Sequence, residues 1–426
     1  MISALFGRHG ALLRRAPSFR HLFFATLESS LGTWLAVIAL TVDVFDRTHS
    51  PNWVSALLVA SFLPSVGVGL LLGPLLDRLS RRAVMIVADL ARVAVFCALP
   101  FTSSAVAVVA LAAVAGLATG FFTPAVYAGL PNLVDDADLS RANSLFRSMD
   151  YLASAIGPLL GGVLVGAAGP DPAYAINAAS FLASAALIAR IPERLLQSRR
   201  AESRGHWQDV ADGFRLVIRS RPLLTVLLAW SIAVVGNAGI NVAEVVLAKD
   251  TFSSGTFGFG LLAAGSGVGL VLGSLLAGTI LERRPISAVY GGALALMALG
   301  IGAAAASPNV WVAAGCVIVF GFGNGTAVVC NALLVQRGAP DVLRGRAFTV
   351  IMGTNFAVLG LAMSAAGPLT EAVGARWVWG GAGLLAGAAA ILGYAMTRAL
   401  GIAKLREPLP LLPEPEPVAT PLERPV

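Results

Sequence analysis

Acidic side chains occur inside several long apolar stretches of this sequence. Glu28 lies about 9 residues into the first stretch, which is roughly 13 Å along a helix that rises about 1.5 Å per residue. An ionisable group at that depth in a membrane costs at least about 2–3 kcal/mol, so it is a functional candidate. We interpret Glu28 as a site for a proton or a cationic substrate. The alternative is a neutral carboxyl that hydrogen-bonds to Ser29, Ser30 or a neighbouring helix.

A second polar group lies in the second half of the chain. Asn237 and Asn241 are spaced i,i+4, and Glu244 follows Asn241 at i+3, so the three residues share one face of a helix. We expect this stripe to contact the substrate or protons. Asp150 is a third candidate for proton coupling, but we favour an ordinary capping role, because it lies at the start of an apolar run where it can interact with a helix dipole.

Two further features have both functional and structural interpretations. Asn324 and Asn331 occupy one apolar stretch, where their amides could bind a substrate or join two helices. Asp89 and Arg92 are spaced i,i+3 and can form an ion pair within one helix. We favour a structural role for this pair.

The composition places the chain in lipid. Of the 426 residues, 57% are hydrophobic and only 12% are charged, and the mean hydropathy is +0.80. The charged fraction is about half that of soluble proteins. These values exclude a soluble enzyme, a disordered protein and a disulfide scaffold. The net charge of +7 does not indicate nucleic-acid binding, because the basic residues lie between apolar stretches.

We expect neither a metal nor a cofactor, and we do not expect an enzyme. The histidines and cysteines form no HExxH or CxxC pattern, and no GxxxxGK[ST] phosphate loop is present. ATP therefore does not drive this chain directly. Any energy source would be a gradient.

Apolar runs between charge and proline breaks predict twelve transmembrane helices. Helices are required because lipid offers no partners for unpaired backbone groups. The first six are predicted at Phe19–Val42, Trp53–Leu76, Ala83–Phe101, Ala105–Leu130, Met149–Ala168 and Pro172–Ala189. The second six are predicted at Leu223–Leu247, Phe257–Leu281, Ile286–Ala306, Val310–Val335, Phe348–Leu369 and Val373–Leu400.

The runs divide into two six-helix halves, residues 19–189 and 223–400. We interpret the arginine-rich segment 190–222 between them as a cytoplasmic linker. It is expected to contain a helix that lies on the membrane surface from about Trp207 to Ile218. Residues 1–18 form a cytoplasmic N-terminus. We expect the proline-rich cytoplasmic tail, 401–426, to be disordered.

The distribution of basic residues predicts the orientation. Every lysine and arginine except Arg47, Arg92, Lys249 and Arg376 lies at or beyond the helix ends on the side of the two termini. Because lysine and arginine favour cytoplasmic loops, we expect both termini in the cytoplasm. Arginine far outnumbers lysine, and alanine and glycine are abundant, as in bacterial proteins of high-GC genomes. We therefore expect a multi-pass protein of the bacterial cytoplasmic membrane.

Three short patterns recur in the same order in both halves, at offsets of 205 or 210 residues, which indicates a duplication. They are 73–78 with 278–283, 136–142 with 341–347, and 154–158 with 364–368. Parallel repeats around a midplane cavity are typical of transporters.

From about Phe19 to Leu400 the chain resembles the major facilitator superfamily. The most specific match follows the second helix, where the family has Gly-x-Leu-x-Asp-Arg-x-Gly-Arg-Arg/Lys and this chain has Gly73, Leu75, Asp77, Arg78, Ser80, Arg81 and Arg82. The resemblance implies a cytoplasmic gating loop in which Asp77 pairs with basic groups and a helix end. The alternative is that the arginines only fix the topology.

A second match lies in the fifth helix. Gly157, Pro158, Gly161 and Gly162 resemble the family's antiporter motif Gly-x-x-x-Gly-Pro-x-x-Gly-Gly, with Ala153 at the first glycine. In the family this motif accompanies export. Glycines at helical spacing let two backbones approach, and the proline removes a backbone hydrogen bond. Ordinary small-residue packing is the alternative.

Further patterns resemble the branch of the family that holds macrolide-efflux proteins and the enterobactin exporter. They are Pro131–Val134, Arg141–Leu145 and Gly345-Arg346. Many proton-coupled exporters of the family have an arginine in the fourth helix, where this chain has Gly116.

The resemblance implies an efflux transporter for a small amphipathic compound such as a drug, macrolide or siderophore, working by alternating access and proton antiport. Its expected partners are the substrate, protons and the lipid bilayer, with no nucleic acid, and we expect a monomer. A uniporter, a lipid flippase and a non-transporting membrane sensor or scaffold remain open as alternatives.

Overall fold

A computed structural model describes residues 12–71, 79–196, 206–339 and 343–399. These residues form an all-α bundle with twelve helices long and apolar enough to cross a membrane, which confirms the predicted number. The helices are α1 Pro17–Thr48, α2 Pro51–Leu71, α3 Arg81–Ala98, α4 Ala105–Gly129, α5 Asp136–Ala168, α6 Asp171–Ala189, α7 Arg221–Val246, α8 Gly255–Arg283, α9 Ile286–Ala305, α10 Val310–Gly338, α11 Arg344–Val373 and α12 Ala375–Arg398. A further helix, left unnumbered, runs from His206 to Arg219 in the linker, where the sequence predicts a helix from about Trp207 to Ile218.

The prediction for the start of α5 was wrong. The sequence suggested Met149, but the helix begins at Asp136, because its first turns are polar and extend beyond the apolar run. Asp150 therefore lies 14 residues inside the helix, about 21 Å from its first residue. At that distance it cannot interact with the helix N-terminus.

The two halves share one packing pattern. In the first half the contacting pairs are α2–α4, α4–α3, α3–α6, α6–α1 and α1–α5. The second half repeats this order six helices later, with the pairs α8–α10, α10–α9, α9–α12, α12–α7 and α7–α11. The halves meet mainly at two interfaces, α5–α8 and α2–α11, which are exchanged by the same relation. The bundle therefore has pseudo-two-fold symmetry.

Two ends of the bundle are distinguished below. The terminal end carries the starts of α1 and α7 and the end of α12, and the loop end carries the ends of α1 and α7. The outer surface is apolar, with Leu384 exposed by 79%, Trp377 by 77% and Ile391 by 75%. Such a surface is stable against lipid rather than against water.

Glycine permits the closest contact between the halves. At α5–α8 a Cβ atom on Gly162 would lie 2.9 Å from the Cα atom of Gly260, and one on Gly267 would lie 2.6 Å from the Cα atom of Ala155. These distances are too short for a side chain. The contacts lie between the loop end and the middle of the bundle, so the halves touch closely there.

Candidate functional site

A cavity of about 310 Å³ lies inside the first half, between α1, α3, α4 and α5. Its wall combines aromatic rings with hydroxyl groups. The hydroxyl residues of the lining are Thr26, Ser29, Ser30, Thr33, Thr119 and Thr123. A mostly apolar pocket with a few convergent polar groups is the usual form of a small-molecule site.

Several of these hydroxyls already donate to their own helix. Thr26 Oγ1 donates to the carbonyl of Leu22 at 2.9 Å, and Thr119 Oγ1 donates to that of Ala115 at 2.9 Å. A hydroxyl has one proton to donate and two lone pairs to accept with. Once the proton is used within the helix, the oxygen has only acceptor capacity left for a ligand. This part of the wall therefore favours a ligand with hydrogen-bond donors.

Asp150 provides the acidic group of the cavity. Its side chain is exposed although it lies about 21 Å along α5, so it borders open space within the bundle. Trp34 lines the same cavity and is near enough for its indole N–H to interact with the Asp150 carboxylate. Tyr127 and Arg147 are near enough to interact with it electrostatically. Asp150 can therefore bind a proton or a cationic ligand group.

Arg92 closes another side of the cavity from α3. It forms an ion pair with Asp89, which confirms that the two residues pair. Ser184 Oγ donates to the second oxygen of Asp89 at 2.8 Å. The Arg92 guanidinium lies between two rings, 4.3 Å from the centroid of Phe122 and 4.2 Å from that of Phe181. The sequence did not show that Arg92 lines the cavity.

The charge of the cavity follows from this arrangement. Its two charged lining residues are Arg92 and Asp150. Because Arg92 is paired with Asp89, Asp150 is the charged lining residue that remains available to a ligand. The site is therefore suited to a cation or a proton.

Glu28 lies away from this cavity. It is half-buried on α1, two residues after Thr26 and two before Ser30. At about 100° per residue, two positions turn the side chain by about 200°, so Glu28 points away from these cavity-lining residues. The face of α1 that carries Glu28 is therefore opposite to the face that carries the cavity hydroxyls.

The polar stripe of the second half lies on α7. Asn237 and Asn241 are half-buried, and Asn241 Nδ2 donates to the carbonyl of Asn237 at 2.8 Å. Glu244 is 8% exposed near the loop end. Within the described part of the chain its carboxyl has no hydrogen bond or ion pair.

On α10, which packs against α7, Asn324 and Asn331 are half-buried. The Asn331 Oδ1 atom is buried without a hydrogen-bond partner among the described residues. Neither asparagine lines the first-half cavity, and neither do the three residues of the α7 stripe. The candidates on α7 and α10 therefore lie in the second half, apart from the cavity of the first half.

Comparison with known proteins agrees with this architecture. The family profile described as Major Facilitator Superfamily matches residues 22–363. The chain belongs to the major facilitator superfamily. Its relatives include "Multidrug efflux pump Tap" of Mycobacterium tuberculosis, 28% identical, with 84% of this chain and 88% of the relative covered. Another is "Enterobactin exporter EntS" of Salmonella typhimurium, 27% identical, with 79% of this chain and 81% of the relative covered.

A solved structure of the same fold is that of a bacterial homologue of the iron transporter ferroportin in an inward-facing state. The TM-score is 0.72 and the identity 17%, with 89% of this chain and 99% of that chain covered. The major facilitator family consists of transporters. This chain is accordingly a multi-pass membrane protein of a transporter family that acts on small molecules.

The segment that resembles the family's gating loop lies only partly within the described residues. Gly73, Asp77 and Arg78 lie outside the described residues. Arg81 Nη1 donates to the carbonyl of Leu196 at 2.9 Å and also to that of Ala128, and Arg82 donates to that of Ala189. These contacts join the start of α3 to the last turns of α4 and α6 and to the segment that follows α6.

The major facilitator antiporter motif packs α5 against two helices. A Cβ atom on Gly161 would lie 2.9 Å from the Leu35 carbonyl oxygen of α1. Gly157 packs against α1 as well, at Trp34, while Gly162 contacts α8. Pro158 lies inside α5, where it removes a backbone hydrogen bond. The motif therefore joins the cavity-lining α1 to the interface between the halves.

Polar contacts link the halves at the loop end. Lys249 Nζ forms an ion pair with Asp46, the Asn52 amide donates to Glu371, and Ser55 Oγ donates to the carbonyl of Met363. The sequence patterns do not predict these contacts. Lys249 is one of the few basic residues that lie away from the terminal end. This unusual position is the feature of the sequence that could have drawn attention to it.

Proposed function

We propose that this protein exports a small amphipathic compound from the cytoplasm across the bacterial cell membrane, in exchange for protons, by alternating access. The observation that carries the proposal is the exposed Asp150 carboxylate in a cavity of aromatic and hydroxyl side chains. Two relatives, a multidrug efflux pump and an enterobactin exporter, support the outward direction. The antiporter motif on α5 supports it as well.

The basic residues favour a cytoplasmic location of the terminal end. In that orientation the halves are closed toward the outside by the loop-end contacts. The structure then corresponds to a state that is open to the cytoplasm. Transport requires a second state in which these contacts separate and the terminal ends approach.

Among the three acids expected to couple protons, the site favours Asp150. It is exposed within the cavity, whereas Glu28 lies on the opposite side of α1. Glu244 is buried near the loop end, where it would become accessible when that end opens. In this scheme a substrate entering from the cytoplasm displaces a proton from Asp150. A proton that enters from outside then displaces the substrate.

The fourth-helix arginine of other proton-coupled exporters has no room here. A Cβ atom on Gly116 would lie 2.8 Å from the carbonyl carbon of Ser61, because α4 and α2 are in backbone contact at this point. Coupling through that position would therefore need a different packing. If transport is coupled to protons, this packing favours an acid at another position as the coupling group. The same packing supports the second candidate function, a uniporter or flippase that uses no proton.

The test is uptake into inside-out vesicles under an imposed pH gradient, with macrolides, siderophores and lipophilic cations as substrates. Wild type should accumulate at least one compound when the lumen is acidic, and Asp150→Asn should abolish that accumulation. Asp250→Asn, which changes an exposed acid at the loop end, is the matched control and should transport normally. If a compound accumulates in wild type and Asp150→Asn equally, Asp150 is not the coupling acid. Transport of a compound without any effect of the gradient would favour the uniporter.

A further inference from the structure

A long apolar groove runs along the outer side of the α3–α4 pair. Its volume is about 440 Å³, and apart from Ser80 its lining consists of apolar side chains. Ala88 and Ala118 are buried along it, whereas the side chains of Val87 and Leu117 are 64% and 44% exposed. Small buried residues therefore form the floor, and larger exposed residues form the rims. In a membrane protein such a face is covered by lipid.

The length of the groove corresponds to one leaflet. Its lining extends from Ser80, directly before α3, to Ala91, a separation of eleven positions or about 16 Å along the helix. The hydrocarbon core of a bilayer is about 30 Å thick, so one leaflet contributes about 15 Å. The groove begins at the terminal end, where α3 starts, and ends near the midplane. One acyl chain that lies parallel to α3 spans this distance.

Positive charge lies at the mouth of the groove. Arg81 and Arg82 follow Ser80 directly, and their donations to the carbonyls of Leu196 and Ala189 hold both guanidinium groups at the terminal end. An arginine has five N–H donors and stays charged. A phosphate whose acyl chain occupies the groove would lie at the level of these residues. The pairing of an apolar groove with a cationic mouth is complementary to an anionic phospholipid.

We propose that the α3–α4 groove binds one anionic phospholipid of the leaflet at the terminal end, with an acyl chain between Ser80 and Ala91 and the phosphate beside Arg81 and Arg82. This lipid site is separate from the transport cavity. Arg92 and Thr119 line the cavity, and the adjacent Ala91 and Ala118 line the groove. A bound lipid would therefore support the wall that holds Arg92 in place. The proposal does not depend on the direction or coupling of transport.

Native mass spectrometry of the purified full-length protein tests the site. The protein is titrated with palmitoyl-oleoyl phosphatidylglycerol and, separately, with the phosphatidylcholine of the same chains. Wild type should retain one phosphatidylglycerol more tightly than any phosphatidylcholine. Ala91→Phe, which fills the inner end of the groove, should lose that lipid. Ala83→Phe, at an exposed lining position near the mouth, provides a second filling variant if the first does not fold.

Two controls separate the parts of the site. Ala110→Phe introduces the same ring at an exposed position of α4 that does not line the groove, and it should retain the lipid as wild type does. Arg81→Gln combined with Arg82→Gln should remove the preference for phosphatidylglycerol over phosphatidylcholine. The proposal is overturned if both filling variants retain phosphatidylglycerol as wild type does. It is also overturned if wild type retains the two lipids equally.

Discussion

Lys249, three residues beyond the end of α7, forms an ion pair with Asp46, near the end of α1, and so joins the two halves at the loop end. The two residues are 203 positions apart in the chain, and each belongs to a different copy of the repeat. The half-exposed Asp46 side chain limits the strength of the pair, because exposed pairs contribute only about 0.2–1 kcal/mol. A contact of that strength can hold one state and still break in every transport cycle.

Removing this ion pair should shift the protein toward the state that is open at the loop end. Lys249→Gln or Asp46→Asn should raise the population of that state by about 1.4- to 5-fold, which corresponds to about 0.2–1 kcal/mol. Distances between spin labels on the loop ends of α1 and α7 report the population. The charge-reversed double variant, Asp46→Lys with Lys249→Asp, should restore the wild-type distribution. If Lys249→Gln leaves the distances unchanged, the pair does not hold the closed state.

The contact between Gly162 and Gly260 should not tolerate a side chain. In Gly260→Ala the added Cβ atom would lie 2.7 Å from the Cα atom of Gly162. Overpacking of this kind costs about 1–3 kcal/mol, so the loop end should open and transport should fall. Gly278→Ala on the same helix is the matched control, because a Cβ atom there meets nothing within 4 Å. Equal transport by both variants would show that close packing of α5 and α8 is unnecessary.

The buried pair of Asp89 and Arg92 should be important for stability. Breaking such a pair from one side leaves a buried charge and costs about 3–5 kcal/mol. Arg92→Gln should therefore lower the thermal unfolding temperature of the purified protein strongly. The double variant Asp89→Asn with Arg92→Gln should recover most of the loss, because no net charge remains buried. A double variant that is less stable than Arg92→Gln alone would contradict this account.

The sequence predicts the fold well and the site only in part. Hydropathy gives the twelve helices because lipid requires long apolar helices. The repeats predict the two halves. Its depth along the first helix makes Glu28 a candidate for binding a proton or a cation. Depth does not show which face of α1 lines the cavity. The sequence places Asp150 at a helix start because the first turns of α5 are polar and do not belong to the apolar run.

Contacts between distant segments could not be read from the chain. Arg92 was recognised as a partner of Asp89 because the two residues are one helical turn apart. Its place in the cavity wall depends on how α3 packs beside α4, which no local pattern encodes. The same applies to Asn52 and Glu371, which meet across the second interface between the halves.

Proton release on substrate binding tests the central claim most directly. Purified protein in weakly buffered solution with a pH indicator is mixed with a substrate found in the vesicle assay. Wild type should release protons in proportion to the bound substrate. Asp150→Asn should release none, while Asp250→Asn should behave as wild type. Substrate binding to wild type without proton release, or equal release from Asp150→Asn, would contradict the exchange of proton and substrate at Asp150.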